Sequence, residues 1–239
     1  PAGEVTDVIL DELATYLQPG DLVIDGGNAF YQDTLRRAEK LAEKDVHFMD
    51  IGTSGGPTGA LKGACMMIGG SQEDYERVLP LLKAACAPNA YQLLGPVGAG
   101  HFAKMVHNGI EYGMMQAIAE GAGILKKSDF NFDLAQVFNL YNHQSVITSR
   151  LVGWLEEALQ EDPELTEYNP VIGHTGEGEW TVKTATELEV PVPVIKESFR
   201  VRVNSEFEVE KNPDAVSYRN KSVSAMRGKF GGYSVKKDA

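Results

Sequence analysis

The run Gly98-Ala99-Gly100-His101-Phe102-Ala103-Lys104-Met105-Val106-His107-Asn108-Gly109-Ile110-Glu111-Tyr112 constrains this chain more than any other stretch. A glycine-rich turn opens a segment that continues without a proline as far as Asp162. Proline is the residue that most strongly interrupts a helix, so its absence permits long helical elements. Lys104, His107, Asn108 and Glu111 stand at i, i+3, i+4 and i+7. On a helix these four share one face within about two turns, with Tyr112 beside them. Spacing alone leaves two readings. One is a solvated face with ordinary i,i+3 and i,i+4 pairs; the other is a site for a polar, anionic substrate.

Residues on both sides of that run alternate differently. The segment 4–17 has helical periodicity, with Val5, Val8, Ile9, Leu13 and Leu17 apolar. Pro19-Gly20 breaks it. Leu22-Val23-Ile24-Asp25 fits a buried parallel strand, and it ends at Gly26-Gly27-Asn28. In an open α/β sheet, ligand groups lie just past the carboxyl end of a strand. A charged amphipathic helix is predicted over 34–44, then a strand over 46–50. Ile51-Gly52-Thr53-Ser54-Gly55-Gly56-Pro57 reads as a second polar glycine loop after a strand. A third apolar run covers 64–70, a helix 72–87 and a small strand 91–94. Residues 1–97 thus read as part of a doubly wound, Rossmann-like dinucleotide-binding domain. Its opening Gly-x-Gly-x-x-Gly unit is not in this sequence, so the domain is N-terminally incomplete.

Residues 98–239 read as an all-α domain with a C-terminal tail. Helices are predicted over 102–127, from Asp129 through Tyr141, over 143–160, from the 175–181 loop towards Pro191, over 192–207 and over 220–229. Small residues at Ala117, Ala119, Gly121, Ala122 and Gly123 permit close helix packing.

Charge and cysteine content narrow the function classes. With 22 basic and 34 acidic residues the net charge is -12, which argues against a broad nucleic-acid surface but permits a small local anion site. Cys65 and Cys86 have no pairing pattern and read as reduced thiols. Neither a membrane span nor a signal peptide is evident, so a cytoplasmic address is expected. The histidines His47, His101, His107, His143 and His174 have no thiols or carboxylates at ligand spacing, and no metal site is expected.

Six motifs together carry a family likeness. They are Ile24-Asp25-Gly26-Gly27-Asn28, Asp50-Ile51-Gly52-Thr53-Ser54-Gly55-Gly56, Met67-Ile68-Gly69-Gly70, the run from Gly100 to Gly113, Gly178-Glu179-Trp180-Thr181 and Arg227-Gly228-Lys229-Phe230-Gly231-Gly232. They resemble the decarboxylating 6-phosphogluconate dehydrogenases, in their compact bacterial form, over essentially the whole chain. The resemblance implies oxidation and decarboxylation of 6-phospho-D-gluconate to D-ribulose 5-phosphate and carbon dioxide, with NAD or NADP taking the hydride. It implies a homodimer or homotetramer in which the tail completes a neighbour's site. It also implies that Pro1-Ala2-Gly3 follows the fourth strand of the cofactor domain, with the pyrophosphate loop further upstream.

The resemblance assigns roles residue by residue. Lys104 is the base at the C3 hydroxyl, and a lysine can serve so when burial or a neighbouring cation lowers its pKa. Glu111 is the acid that protonates the enediol. Ser54, Gly55 and Gly56 grip the carboxylate end, where successive backbone N–H groups form an anion nest. His107 and Asn108 bind substrate, and Asn28 lies between nicotinamide and substrate. Ala2 and Asn28 fall on the cofactor side. Tyr112, Arg150 and Arg227 are the phosphate candidates, since arginine contacts phosphate in bidentate fashion. The chain departs from the family pattern in three places: Thr148 stands where related short forms can carry an arginine, Thr175 and Glu177 stand around where long forms carry a lysine and a threonine, and Tyr233 stands where a histidine is expected. The alternatives are another β-hydroxyacid dehydrogenase acting on a small 3-hydroxy acid, or a non-catalytic fragment. Arg227, Tyr112 and Glu111 separate the first of these, because it needs neither a phosphate site nor a second acid.

Overall fold

The computed structural model describes residues 3–174 and 176–231, so the expectations at Ala2, Thr175 and Tyr233 lie outside the described residues. The chain divides into two compact units, Pro1–Asn108 and Gly109–Ala239. The boundary falls within one long helix.

The first unit contains α1 (Glu4–Leu13), β1 (Leu22–Asp25), α2 (Tyr31–Ala42), β2 (His47–Ser54), α3 (Gly56–Lys62), β3 (Ala64–Gly69), α4 (Gln72–Ala85), β4 (Cys86–Gly95) and the start of α5 (Ala99–Lys127). The strands form one sheet in the order β1-β2-β3-β4. β1 pairs with β2 and β3 with β4 in parallel, whereas β2 and β3 are antiparallel. The sheet is therefore mixed, not uniformly parallel. The connection 55–63 is too short for a parallel crossover, which needs a dozen or more residues. It turns through α3 instead, a helix that periodicity did not reveal. β2 also runs on through Gly52, Thr53 and Ser54, where a loop was expected, because these residues pair with Met67, Met66 and Cys65 of β3. β4 is longer than 91–94 for the same reason, Ala64 pairing with Cys86.

Strand alternation places a core on each face of this sheet. Leu10, Val23, Leu41, Val46 and Phe48 pack on the side of α1 and α2. Met49, Ile51, Ile68, Val78 and Leu82 pack on the side of α4. Phe48 belongs to the first side, so Asp50, Gly52 and Ser54 face that side too. At the end of β1, Asp25 Oδ1 accepts the Gly27 N–H at 2.9 Å. The buried Arg37 lies 3.9 Å from the same carboxylate, donates from Nε to Asp7 at 2.8 Å and from Nη2 to the Gly3 carbonyl at 2.9 Å.

The second unit is helical: the rest of α5, then α6 (Leu134–Tyr141), α7 (Arg150–Glu161), α8 (Glu177–Glu187), α9 (Pro193–Val203), α10 (Ser205–Lys211) and α11 (Pro213–Phe230). Side chains set several starts. The carboxylate of Asp133 accepts the Gln136 N–H, and the hydroxyl of Ser149 accepts the Val152 N–H, as N-caps do. The second cap starts α7 at Arg150, not 143. The Thr148 hydroxyl instead lies 3.2 Å from the Tyr141 carbonyl and 2.9 Å from that of Ser145, which keeps the preceding residues in turns. The single helix expected over 192–207 is broken at Asn204. α11 starts at Pro213, ahead of 220, proline being well suited to the first helical position. Met115, Phe138, Val152, Leu155, Leu159, Leu165, Ile172 and Met226 make the core. Among the described residues no helix is long and apolar enough to cross a membrane.

Candidate active site

The residues singled out by sequence fall in both units, and each set is described within its own unit. In the first, the start of α5 is pressed against β2. Gly98, at φ +93°, has no side chain with which to cap the helix it precedes. Asp50 does so from the strand: Oδ1 accepts the Gly98 N–H at 2.6 Å and Oδ2 the His101 N–H at 2.7 Å. A methyl group on Gly100 would lie 2.5 Å from the Met67 carbonyl and 2.6 Å from that of Asp50. A methyl on Gly52 would lie 2.3 Å from Lys104 Cβ. Only bare backbone on both sides permits this approach. It buries Lys104, which retains 7% of its accessible surface.

One turn further, the Ser54 hydroxyl lies 3.3 Å from His107 Nε2, and His107 Nδ1 lies 3.1 Å from the Asn108 side-chain oxygen. Asn108 is buried. Ser54 leads directly into Gly55 and Gly56, both in the left-handed region at φ +123° and +58°. Lys104, His107, Asn108 and Ser54 are thus brought together. His101 is buried against Thr34, its Nδ1 lying 2.7 Å from Oγ1, as expected of a structural residue. Asn28 is exposed in the turn that follows β1.

In the second unit, α5 continues with the half-buried Glu111 and the buried Tyr112. Two glycines let neighbouring elements close in. A methyl on Gly109 would lie 2.6 Å from Thr181 Cγ2, and one on Gly178 would lie 2.6 Å from Tyr112 Cε2. The Tyr112 ring also carries the guanidinium of Arg202, 3.4 Å from the ring centroid. Arg202 also reaches Met115 Sδ at 3.4 Å. Burial pushes its pKa down to about 10, the Arg227 cation adds to that, and Tyr112 and Glu111 oppose it. Arg227 is buried too, with Nη1 3.2 Å from the position a Gly173 methyl would take. Arg202 and Arg227 are both buried and near enough to influence each other electrostatically, and guanidinium groups beside a tyrosine are groups that can bind an anion.

Arg202 was not singled out by sequence, although a signal existed. Ser198, Val201, Arg202 and Ser205 stand at i, i+3, i+4 and i+7, and all are buried. Arg200, on the opposite face, forms an exposed ion pair with Glu197. Arg150 is exposed at the start of α7, with its guanidinium 5.4 Å from the Trp154 ring centroid. Glu177 is buried in the first turn of α8, and its carbonyl accepts the Thr181 hydroxyl at 2.8 Å. Among the described residues no group of three or more His, Cys, Asp or Glu side chains is arranged to hold a metal ion.

Comparison with known proteins shows the family. Residues 1–95 match the model of the NAD binding domain of 6-phosphogluconate dehydrogenase, and residues 100–232 match that of the 6-phosphogluconate dehydrogenase C-terminal domain. A putative 6-phosphogluconate dehydrogenase of Bacillus subtilis is 41% identical over 233 residues, covering 98% of this chain and 76% of the relative. The NAD(+)-dependent, decarboxylating 6-phosphogluconate dehydrogenase of Haloferax volcanii is 40% identical over 207 residues, 86% of this chain and 68% of the relative. Among solved structures, the 6-phosphogluconate dehydrogenase of Plasmodium falciparum, studied with NADP+ and with 6-phosphogluconate, superimposes with a TM-score of 0.77 at 29% identity. That match covers 95% of this chain and 55% of the Plasmodium chain.

Proposed function

The chain belongs to the 6-phosphogluconate dehydrogenase family, and we propose that it carries the oxidative decarboxylation of 6-phospho-D-gluconate to D-ribulose 5-phosphate and carbon dioxide. The observation that carries this reading is the buried Lys104, seated against Gly52 beside His107, Asn108 and Ser54. The relatives' names give both NAD(+) and NADP(+) as cofactor. The turn 25–28 fits the nicotinamide end. It lies at the carboxyl end of β1, it is tied by Asp25 to the Gly27 N–H, and Asp25 Oδ2 and Arg37 Nη1 are buried there without a hydrogen-bond partner. Asn28 would hold that end, and NAD or NADP when bound supplies the hydride acceptor.

The remaining chemistry falls to side chains of this chain. Lys104 accepts the proton of the C3 hydroxyl as hydride leaves C3, and the product is a β-keto acid. The resulting ammonium then faces the ketone oxygen and stabilises the negative charge that develops on it as the carboxylate departs. Ser54, Gly55 and Gly56 hold the carboxylate end, and His107 and Asn108 hold substrate hydroxyls. Glu111 delivers a proton to the enediol carbon that becomes C1 of the product. Tyr112, Arg202 and Arg227 suit the phosphate, with Arg150 a further candidate. In this reading residues 1–97 serve the cofactor, and 98–239 serve substrate binding and assembly into a homodimer or homotetramer. The free cysteines Cys65 and Cys86 suit a cytoplasmic address.

The test is turnover of 6-phosphogluconate by the full-length protein with NAD and with NADP, measuring cofactor reduction and carbon dioxide release. Lys104→Met and Glu111→Gln are each expected to lower kcat by about 10²–10⁴-fold. Absence of turnover by the folded wild-type protein with either cofactor would refute the reading.

A further inference from the structure

Asp50, Gly52 and Ser54 are alternate residues of β2 and share one face of that strand. Each meets the start of α5 at a successive level. Asp50 takes the N–H groups of Gly98 and His101. Gly52 lies under Lys104 Cβ. Ser54 meets His107. The strand thus contacts the helix at 101, 104 and 107, three residues apart and hence on one side of α5.

Asp50 occupies the position with most leverage. The first N–H groups of a helix have no partner within it, and the usual acceptor is the side chain of the residue just before it. Here that residue is Gly98, held at φ +93°, where a side chain is strained. The carboxylate that replaces it comes from 48 residues away in sequence and is fully buried. A charge-assisted pair of bonds to two backbone groups fixes both the distance and the rotation of the helix end. The site of attachment is also rigid. A methyl group on Gly69 would lie 2.4 Å from Asp50 Oδ1 and 2.8 Å from the Gly100 nitrogen, so strand, carboxylate and helix are in contact without slack.

We propose that Asp50 is a positioning residue for the reaction: by capping α5 from β2 it sets where Lys104 meets the C3 hydroxyl. The proposal rests on the reading of Lys104 as the base. Asp50→Asn keeps the volume but loses the charge and one of the two acceptors, and its amide NH₂ then opposes a backbone N–H.

The experiment compares wild-type, Asp50→Asn and Thr34→Val full-length proteins in kcat, KM for 6-phosphogluconate and thermal midpoint. Thr34→Val removes the 2.7 Å contact to His101 Nδ1 in the same buried neighbourhood and serves as the control for general loosening. Asp50→Asn is expected to lower kcat by about tenfold or more with KM within about threefold, as displacement of a reacting group does. Thr34→Val is expected to lower the thermal midpoint and leave kcat unchanged. If Asp50→Asn does not fold, Asp50→Ser, which keeps one shorter acceptor, is measured with the same expectation. A folded Asp50 variant with wild-type kcat overturns the proposal. So does an equal loss of kcat in Thr34→Val. An inactive wild-type protein would refute the assignment of Lys104 itself, which is a separate result.

Discussion

Replacement of Gly52 by alanine tests the seat of Lys104 directly. The added methyl would lie 2.3 Å from Lys104 Cβ, 2.8 Å from the Gly100 carbonyl oxygen and 3.0 Å from Lys104 Cγ, where ordinary contacts begin at 3.4 Å. The helix cannot rotate away cheaply, because Gly100 is itself in backbone contact with Met67 and Asp50. The start of α5 must therefore retreat by about 1 Å, and a misplacement of that size in a reacting group costs about 10²-fold in rate. That is about 2.7 kcal/mol of activation free energy. Overpacking a tight contact costs about 1–3 kcal/mol of folding stability, which a domain of this size can survive. The assay is steady-state turnover of 6-phosphogluconate, with circular dichroism and thermal melting to verify the fold. Turnover should fall by about 10²-fold while KM changes little, since the phosphate candidates lie elsewhere in the chain. Gly121→Ala on the same helix is the comparison. Its methyl meets nothing within 4 Å, so activity should be unchanged and stability should rise by about 0.5–1 kcal/mol. A folded Gly52→Ala protein with near wild-type kcat would show that Lys104 does not depend on this contact.

Two further outcomes follow from the side-chain environments. Arg202→Met removes a buried cation stacked on Tyr112 and should raise KM for 6-phosphogluconate by about tenfold or more, as loss of a charged hydrogen-bond donor does; an unchanged KM would remove Arg202 from the phosphate site. Its folded pKa is depressed to about 10, so the burial cost is constant at neutral pH and is relieved only as pH rises past that value. The variant should therefore be no less stable than wild type near neutrality, which the thermal midpoint of the folded variant checks. His47 Nδ1 lies 2.8 Å from Asp74, whose other oxygen accepts the Ser71 hydroxyl at 2.6 Å, and this pairing raises the His47 pKa above 6.5. A raised pKa gives stability that is complete below 6.5 and is lost as pH rises through the folded value. Thermal midpoints measured from about pH 5.5 to 8.5 should fall more steeply for wild type than for His47→Gln, and parallel curves would rule out the pair as a source of pH dependence.

Local order was legible wherever neighbouring residues carry it. Leu22-Val23-Ile24-Asp25 forms β1 with the bounds its apolar run suggests. The spacing of Lys104, His107, Asn108 and Glu111 places them along one helix because 3.6-residue periodicity is a property of the chain itself. The motifs identified the family, since a glycine at each close approach and a polar residue at each contact leave marks that need no tertiary context.

What the sequence did not reveal depends on residues far apart in the chain. β2 runs through Ser54 only because β3 supplies antiparallel partners, and α3 exists because the short connection between them must turn back. Arg200 and Arg202 differ by two positions, yet one lies in solvent against Glu197 and the other beneath Tyr112. Asp50, read in sequence as the end of a strand, is the cap of a helix that begins 49 residues later. A backbone N–H at a helix end donates to any well-placed oxygen, whatever its distance along the chain. The sequence by itself determined that Lys104, His107, Asn108 and Glu111 share a helix; folding decided which residues are buried, and what holds that helix at its depth, because burial and capping depend on the neighbours that folding brings into contact.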